Sequence, residues 1–325
     1  MLNNSSIKKG LRIAVVGAGN ISQNYHLPSL RRLAENTAAL RLCAICDIDE
    51  VRAREVASRF NIAKSYTDYR AMLDAEAPDA VWVLVSPNAM YDTVAYLLTK
   101  QIPVFMEKPP AETSQATRAL AELAQQIPHQ VAFNRRYAPL LIKMRDQLIE
   151  AGGMAAASCQ FYRVRRTEPD FVYGAGLHGL DTLRFLSNSE IRAAYTSSGI
   201  GNSRLVTLEF DSGARANVDM LPEVGVQVER YTAHAGDHTI VVDGVIHWLT
   251  HYPGFLQHFV NGKETISINS DFAPPEVIGG YYGESAAFVE CLLEGRKPWP
   301  DLTASIRSIE VAEAVQQGKD IIFSA

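Results

Sequence analysis

A charged pair, Glu107–Lys108, directly follows the apolar segment "IPVFM" and is itself followed by Pro109 and Pro110. Pro109 restrains the backbone of Lys108 and prevents an extended strand from continuing. Ligands of open parallel sheets bind beyond the carboxyl ends of the strands. If "IPVFM" is such a strand, the ammonium group of Lys108 is placed to contact a ligand. The alternative is a lysine at a strand end whose head group only reaches solvent.

A second candidate site is the glycine turn in "VVGAGNIS", which contains Gly17 and Gly19. The turn follows an apolar run and opens a helical pattern, the context in which a dinucleotide fingerprint is informative. Gly17 permits a tight turn, and Gly19 lets the backbone at Asn20 and Ile21 approach a pyrophosphate at a helix N-terminus. Ser22 replaces the third glycine, which affects only helix–strand packing. A glycine turn without a ligand is the alternative.

An acidic residue, Asp47, ends the second apolar run, "LRLCAIC". A carboxylate there can accept a hydrogen bond from the adenosine ribose and repels a 2′-phosphate, which favours NAD over NADP. Asp47 lies further along the chain than the usual ~20 residues, as a longer first helix would explain. Arg52 and Arg54 are near enough to keep NADP open.

The first third of the chain alternates apolar runs with helical patterns, as in "LRIAVV", "DAVWVLVS" and "YDTVAYLLTK". This rhythm predicts a parallel sheet covered on both faces. We therefore predict a doubly wound α/β Rossmann domain over residues 1–134. Its first helix is expected to break near Pro28.

The remaining residues, 135–325, have a different texture. Segments such as "RLVTLEF", "ARANVDML", "HTIVVDG" and "VIHWLTH" alternate with period two and are separated by turn residues. They predict an α+β domain with an open, mainly antiparallel sheet flanked by helices. Glycines 152 and 153 end a preceding helix. Two final helices surround a proline-rich loop and can pack back on the first domain.

Several segments together resemble a known family: "GAGNISQNYHLPSL", "VSPNAMYDTV", "EKPPAET", "NRRYAP" and "GLHGLDTLRFL". They are similar, in order and over nearly the whole chain, to signatures of the glucose–fructose oxidoreductase, inositol dehydrogenase and MocA family. The segment "FNRRYAP" is most similar to its MviM-like members. The resemblance implies that Lys108, the lysine of E-K-P, lies beside the nicotinamide and hydrogen-bonds the substrate hydroxyl being oxidised.

The family's second signature, D-x-G-x-H-x-x-D, is only partly present. His178 and Asp181 match it, whereas Gly174 stands where the family has its first aspartate. The resemblance implies that His178 acts as general acid or base, which suits imidazole near neutral pH. Asp181, one helical turn away, is expected to replace the missing carboxylate in part. The alternative for His178 is a capping or packing role at a helix start.

The resemblance also implies further contacts. Tyr91 stands where the family often has a histidine. In addition to the glycine turn, Asp47 and Lys108, the expected cofactor contacts are Ser86, Pro87, Asn88, Tyr91 and Glu107. In addition to Lys108, His178 and Asp181, the expected substrate contacts are Arg135, Tyr162 and Arg163. For the arginine run "YRVRR", a strand face turned to solvent or to another subunit is the favoured alternative.

The resemblance implies an NAD(P)-dependent oxidoreductase acting on a secondary alcohol or ketone of a sugar, cyclitol or related polyol. One alternative is a dinucleotide-binding sensor or regulator without turnover, which Gly174 favours. Another is a lyase or glycosidase that works by transient oxidation with retained NAD. A homodimer or homotetramer is expected through the open face of the second sheet.

Composition narrows the remaining classes. The chain has 325 residues and a net charge of −5, which disfavours nucleic acid as a partner. No apolar run approaches the ~20 residues of a membrane span, and the four cysteines suggest no disulfide framework, so a cytoplasmic protein is expected. Cys43 and Cys46 lie in an apolar strand and are expected to be buried thiols. His247 and His251 have zinc-like spacing, but their segment reads as a strand, and no metal site is expected.

Overall fold

A computed structural model describes residues 10–37, 40–245, 254–270 and 273–324. The chain forms two compact units. Unit 1 comprises Met1–Phe133 and Tyr281–Ile306, and unit 2 comprises Asn134–Gly280 and Arg307–Ala325. The roles expected for residues 1–134 and 135–325 stay predictions.

The elements of the described residues are numbered along the chain. The strands are β1 (Leu11–Val16), β2 (Leu40–Cys46), β3 (Ser65–Tyr66), β4 (Ala80–Val83), β5 (Val104–Met106), β6 (His129–Val131), β7 (Ala156–Tyr162), β8 (Ile191–Ser198), β9 (Arg204–Phe210), β10 (Arg215–Leu221), β11 (Val228–Ala235), β12 (His238–Asp243), β13 (Phe255–Val260), β14 (Lys263–Asn269) and β15 (Ile321–Ile322). The helices are α1 (Leu27–Thr37), α2 (Glu50–Arg59), α3 (Tyr69–Glu76), α4 (Pro87–Thr99), α5 (Ser114–Leu123), α6 (Pro139–Glu150), α7 (Leu177–Ser187), α8 (Pro275–Ile278), α9 (Tyr281–Glu294) and α10 (Leu302–Gln316).

Unit 1 contains a six-stranded sheet in the order β3-β2-β1-β4-β5-β6, and all of its strand pairs are parallel. The central strands β1, β4 and β5 are almost completely buried, as expected for strands covered on both faces. Strands β2 and β3 are added on one side of β1, and β4, β5 and β6 are added on its other side. This order is that of a Rossmann fold, so the predicted fold class of the first domain is confirmed.

The helix after β1 differs from the prediction. It continues through Pro28 because a π-helical segment, Ser22–His26, directly precedes α1. Proline has no N–H to donate to the preceding turn, and a widened turn accommodates this loss. The predicted break near Pro28 is therefore wrong.

Unit 2 contains a nine-stranded sheet in the order β14-β13-β12-β11-β7-β10-β9-β8-β15. Among the described strands of this sheet, only β7 and β10 pair in parallel. Helices α6 and α7 pack on the sheet, and each strand of its centre alternates buried and exposed residues. The predicted open, mainly antiparallel sheet is confirmed. Strands β8, β13 and β15 were not predicted, and most of the predicted strand "VIHWLTH" lies outside the described residues.

None of the helices in the described part of the chain has the length and hydropathy that crossing a bilayer requires.

Candidate functional site

The glycine turn lies at the carboxyl end of β1. Gly17 has φ +102°, and a Cβ there would lie 2.3 Å from the carbonyl oxygen of Leu84, so only glycine fits. Its N–H donates to the Cys46 carbonyl oxygen at 2.8 Å. Gly19 differs, because no heavy atom of the described residues, apart from Gly19 and its chain neighbours, lies within 4 Å of its ideal Cβ position. The turn is thus closely packed on its protein side and open at Gly19.

Asn20 and Ile21 follow at the start of the helix and are exposed and half-buried, respectively. Gln23 closes the turn, since its N–H donates to the Gly19 carbonyl oxygen at 3.0 Å and its side-chain Nε2 to the Ala18 carbonyl oxygen at 2.8 Å. A helix N-terminus with open backbone above it is a suitable anion site.

The carboxyl end of β2 places Asp47 next to this turn. Asp47 Oδ2 accepts from the Ala18 N–H at 2.7 Å, and Oδ1 accepts from Arg52 Nη2 at 2.6 Å. Burial raises the pKa of Asp47, but the hydrogen bonds from Arg52, Asp49 and Ala18 together lower it below its ordinary value. Arg54 instead pairs with Glu50 at 3.7 Å. Of the two arginines noted in the sequence, Arg52 is the one at the carboxylate.

The carboxyl end of β4 leads into α4. Ser86 precedes the helix, Pro87 begins it, and Ser86 Oγ donates to Asn88 Oδ1 at 2.5 Å. These three residues are exposed, and Tyr91 is half-buried. Residues after β1, β2 and β4 therefore gather at one edge of the parallel sheet.

Glu107 and Lys108 follow β5 at the same edge. Glu107 N–H still pairs with the Val83 carbonyl oxygen at 3.0 Å, which continues the sheet by one residue. The Glu107 carboxylate bridges two groups: Oε2 accepts from the Lys108 N–H at 3.0 Å, and Oε1 lies 2.8 Å from His26 Nε2. Lys108 is half-buried. The Glu107 carboxylate therefore holds the backbone amide of Lys108.

His26 was missed as a site residue, although it lies in the quoted segment "GAGNISQNYHLPSL". Its side chain is 0% exposed. The ring packs edge-on against Phe105 at 5.6 Å and against Tyr281 at 5.3 Å between ring centroids. Burial raises the pKa of Glu107, but the His26 hydrogen bond and the charges of His26 and Lys108 lower it below its ordinary value.

The residues of this edge fit NAD. The open backbone at Gly19 suits a pyrophosphate, and the carboxylate of Asp47 stands where Rossmann folds bind the adenosine ribose. Lys108 follows β5, the neighbour of β4. The strand order reverses between β1 and β4, so Lys108 and the glycine turn after β1 lie on opposite sides of this point. Dinucleotides bind across this point in Rossmann folds.

In unit 2, His178 lies in the first turn of α7, which follows a π-helical segment, Val172–Gly176. Two glycines let this turn approach the sheet closely. A Cβ at Gly176 would lie 2.8 Å from Met220 Sδ, and one at Gly179 would lie 3.4 Å from Cys159 Sγ. His178 is buried, and its carbonyl oxygen accepts from Thr182 Oγ1 at 2.7 Å.

Gly174 has a carboxylate beside it. An ideal Cβ at Gly174 would lie 3.6 Å from Asp170 Oδ2, and the Gly174 N–H donates to the Asp170 carbonyl oxygen at 2.7 Å. Asp170 was not singled out from the sequence. Its carboxylate lies close to the place where an aspartate side chain at position 174 would project.

The carboxylate of Asp181 is hydrogen-bonded to Arg136 and Ser308. Its Oδ1 accepts from Arg136 Nη2 and Ser308 Oγ, each at 2.7 Å, and its Oδ2 accepts from Arg136 Nε at 2.8 Å. Asp181 is 1% exposed. Its carboxylate holds α7 in the interior of unit 2, and its expected substrate contact stays a prediction.

Arg135 and Arg163 also form a buried cluster. Glu229 is 0% exposed, and its carboxylate accepts from Arg135 Nε at 2.9 Å and from Arg163 Nη2 at 2.5 Å. Burial raises the pKa of Glu229, but the two arginines lower it to about 2. Arg163 also lies over the Phe161 ring at 3.7 Å. Both guanidinium groups lie in the core of unit 2, and their expected substrate contacts stay predictions.

The run "YRVRR" is not a strand face either. β7 ends at Tyr162, Arg163 is buried, and Arg165 adopts φ +54° beyond the strand. Tyr162 is half-buried, and its hydroxyl donates to Asp219 Oδ2 at 3.4 Å. Burial and the Asp219 charge raise the pKa of Tyr162.

The cysteines and histidines in the described ranges form no metal-binding group. Cys43 and Cys46 are buried free thiols, as predicted, and burial raises the pKa of Cys46 to about 12. His238 Nδ1 and His258 Nε2 lie 2.9 Å apart. Within the described ranges, no group of three histidine, cysteine or acidic side chains could hold a metal ion. His247 and His251 lie outside those ranges.

The parallel sheet order, the glycine turn and the acidic residue after β2 define unit 1 as a dinucleotide-binding Rossmann fold. Residues 11–134 match the model of the GFO_IDH_MocA family, described as "Oxidoreductase family, NAD-binding Rossmann fold". The predicted resemblance to the family of glucose–fructose oxidoreductase, inositol dehydrogenase and MocA is therefore confirmed. The chain thus resembles this oxidoreductase family, and its residues 11–134 match the family's NAD-binding Rossmann domain.

Similar proteins span both units. Inositol 2-dehydrogenase from Corynebacterium glutamicum (strain R) is 24% identical over 310 residues, which cover 89% of this chain and 88% of that protein. A dehydrogenase (MviM) from Clostridium difficile has a TM-score of 0.83 at 17% identity and covers 95% of this chain and 99% of its own. An oxidoreductase from Agrobacterium radiobacter, in complex with NAD+, L-tartaric acid and magnesium, has a TM-score of 0.79 at 18% identity, with 96% and 98% covered. These structures share the fold of this chain.

Proposed function

We propose that the protein transfers a hydride between a nicotinamide cofactor and a secondary alcohol or ketone of a sugar, cyclitol or related polyol. The observation that carries this proposal is the position of Lys108. It follows β5 at the edge where the glycine turn and Asp47 lie, and its backbone N–H is held by Glu107 at 3.0 Å. The substrate class is supported by the relatives named inositol 2-dehydrogenase.

In this proposal, the turn from Gly17 to Ile21, including Gly19 and Asn20, holds the pyrophosphate, and Asp47 binds the adenosine ribose. Bound NAD supplies the hydride acceptor or donor. NAD is preferred over NADP because the carboxylate of Asp47 repels a 2′-phosphate, although Arg52 at 2.6 Å offsets part of this charge. Ser86, Pro87, Asn88 and Tyr91, after β4, are proposed as further cofactor contacts.

Two side chains are proposed to act on the substrate. The ammonium group of Lys108 donates a hydrogen bond to the reacting oxygen and polarises it, and Glu107 fixes the backbone beneath it. The imidazole of His178 exchanges the hydroxyl proton, since an imidazole can act as a general acid or base. Tyr162 remains a proposed substrate contact through its hydroxyl.

The oligomeric state and location belong to the same proposal. We propose a homodimer or homotetramer through the open face of the nine-stranded sheet, where the apolar side chains of Tyr195 and Leu205 are exposed on β8 and β9. Polar side chains such as Asn217 share this face. Light scattering at micromolar concentration tests it, and a monomer would refute it. The buried free thiols support a reducing, cytoplasmic location.

The cofactor is tested by thermal unfolding with NADH and, separately, NADPH. A ligand that binds only the native state at a hundredfold excess over Kd stabilises it by about 2.7 kcal/mol. We expect the larger shift with NADH. If neither ligand changes the transition, spectroscopy of the denatured protein shows whether tightly bound cofactor is already present, as the transient-oxidation alternative requires. A protein that neither contains nor binds a dinucleotide would refute the proposal.

The role of Lys108 is tested by NAD+-dependent turnover with myo-inositol and a panel of aldoses and other cyclitols. Lys108→Met is expected to bind NADH normally and to lose turnover, since the substrate oxygen loses its donor. Lys100→Met, at the exposed end of α4, is the matched control and is expected to behave as the wild type. Turnover by Lys108→Met equal to that of the wild type would remove Lys108 from the mechanism. NADH binding without turnover of any panel member by the wild type would favour a sensor.

A further inference from the structure

His26 is a fully buried polar side chain in a position that the proposed function does not explain. Burying an imidazole is unfavourable unless its polar atoms are hydrogen-bonded. His26 Nε2 lies 2.8 Å from Glu107 Oε1, and the other oxygen of the same carboxylate accepts the Lys108 N–H at 3.0 Å. One carboxylate therefore connects the helix after β1 with the backbone of the candidate catalytic lysine after β5.

A local irregularity of the helix brings His26 to this place. His26 is the last residue of the π-helical segment Ser22–His26, which lies between the glycine turn and α1. One residue inserted into an α-helix rotates the following side chains by about 100° around the axis. Such π segments occur frequently at functional sites. Here the segment directs the imidazole toward β5, where it packs against Phe105.

The orientation of the imidazole is fixed from two sides. Phe105 packs edge-on at 5.6 Å, and Tyr281 packs edge-on at 5.3 Å with an interplanar angle of 86°. Tyr281 is itself stacked on Tyr25 at 4.6 Å. A ring held in this way presents Nε2 to Glu107 in one direction, which a flexible partner could not do.

We propose that His26 is a positioning residue for Lys108 and acts through the Glu107 carboxylate. His26 holds the Glu107 carboxylate. This carboxylate in turn holds the backbone N–H of Lys108, next to the Cα atom that carries the lysine side chain. This inference rests on the proposed function, in which Lys108 contacts the substrate oxygen. A purely structural His26 would contribute to the stability of unit 1 but would leave the Lys108 backbone and turnover unchanged.

The first test reads the Lys108 amide directly, by hydrogen–deuterium exchange with fragmentation of the peptide that contains it. Pro109 and Pro110 have no N–H, so the signal of Lys108 is well separated from later amides. His26→Leu removes the donor to Glu107, and we expect exchange at Lys108 to rise about tenfold. His26→Gln retains a side-chain N–H and should restore protection. His26→Asn, whose amide is too short to reach Glu107, replaces the leucine variant if that variant does not fold.

The matched control is His129→Leu. His129 is another buried histidine of unit 1, and its Nδ1 lies 2.7 Å from the Ile127 carbonyl oxygen. It is the first residue of β6 and so lies at the amino-terminal ends of the strands, whereas Lys108 follows the carboxyl end of β5. This variant should lower the melting temperature while leaving exchange at Lys108 unchanged. It separates a general loss of stability from a specific release of Lys108.

The second test is kinetic and uses NAD+ with myo-inositol or whichever panel member the wild type oxidises. His26→Leu should lower kcat by at least about tenfold with an unchanged NADH Kd, because small displacements of a catalytic group are costly. His26→Gln should recover most of kcat. Unchanged Lys108 exchange in His26→Leu overturns the inference even without a known substrate. Normal kcat in His26→Leu while Lys108→Met is inactive also overturns it, whereas an active Lys108→Met overturns the proposed function itself.

Discussion

The buried charge cluster of unit 2 makes a prediction whose size follows from its geometry. Glu229 on β11 is the carboxylate between Arg135 and Arg163, and Tyr231 also donates to it at 3.1 Å. Glu229→Gln keeps the shape of the side chain but leaves two buried guanidinium groups without their counter-charge. The cluster then carries two positive charges instead of one. We expect this variant to destabilise unit 2 strongly.

The magnitude comes from two independent sources. The arginines lower the pKa of Glu229 from 4.5 to about 2, although burial opposes this change. A shift of that size corresponds to on the order of 3 kcal/mol in favour of the ionised form. Removing one partner of a buried ion pair typically costs about 3–5 kcal/mol. Both agree on a loss of about 3 kcal/mol or more, or roughly 6 °C or more in melting temperature for a unit of this size.

The pH dependence follows from the same pKa. Because the folded-state pKa of Glu229 is lowered, its contribution is complete above about pH 4.5 and is lost as the pH falls toward about 2. The assay is thermal and urea unfolding of the wild type and Glu229→Gln from neutral to acidic pH. The difference between the two proteins should be constant near pH 7 and should narrow below pH 4.5. Other carboxylates titrate in both proteins and cancel in this difference.

Glu209 provides a matched control. It also lies between two arginines, Arg192 at 2.8 Å and Arg215 at 2.7 Å, but these side chains are 52% and 70% exposed. Glu209→Gln should therefore cost no more than about 1 kcal/mol. A loss of less than 1 kcal/mol in Glu229→Gln, or a difference that does not change between pH 7 and 3, would refute the reasoning.

The same measurements separate a structural from a substrate-binding Arg163. Arg163→Met leaves the neutral pair Glu229–Arg135, so it should destabilise unit 2 less than Glu229→Gln does. If Arg163 instead bound substrate, as the family resemblance implies, its variant would raise KM with little change in melting temperature.

Three further predictions concern the cofactor edge and the helix before His178. Arg52→Ala leaves Asp47 without its cationic partner, so the ratio of NADPH Kd to NADH Kd should increase several-fold in binding titrations. Gly17→Ala places a Cβ 2.3 Å from a carbonyl oxygen at a positive φ, and it should lose at least about 2 kcal/mol of stability and its NADH-induced thermal shift. Gly174→Asp fits sterically at 3.6 Å from Asp170 but brings two carboxylates together, so its melting temperature should fall at pH 7 and recover when Asp170→Asn is added.

Much of the fold could be predicted because the pattern of unit 1 is local. Fully buried parallel strands read as continuous apolar runs, and Trp82 and Phe105 lie in two of them. The π-helical segment before Pro28 could not be predicted, because its register depends on packing rather than on hydrophobic period. Strand β13 was missed for a related reason, since the polar residues Gln257 and His258 interrupt its alternation.

The candidate site likewise contains residues that could be predicted from the sequence and residues that could not. Lys108, Gly17 and Asp47 could be placed at one sheet edge because each follows a strand directly in sequence. Arg135 and Arg163 could not be assigned, because an arginine that binds substrate and one that serves the core have the same local sequence. Their partner Glu229 lies 94 and 66 residues away and is brought to them only by the sheet register.

Gly174 is the residue that most favours the interpretation of this chain as a sensor without turnover. Its surroundings instead favour an active site. A site that has lost its function has no reason to keep a carboxylate beside the vacated side-chain position, but Asp170 Oδ2 lies 3.6 Å from it. Asp170 is one helical turn earlier, so its carboxylate reaches this region from the preceding turn. A carboxylate, that of Asp170, is therefore present near the position that an aspartate at residue 174 would occupy. Asp170→Asn should then reduce turnover in this chain, although no aspartate stands at position 174.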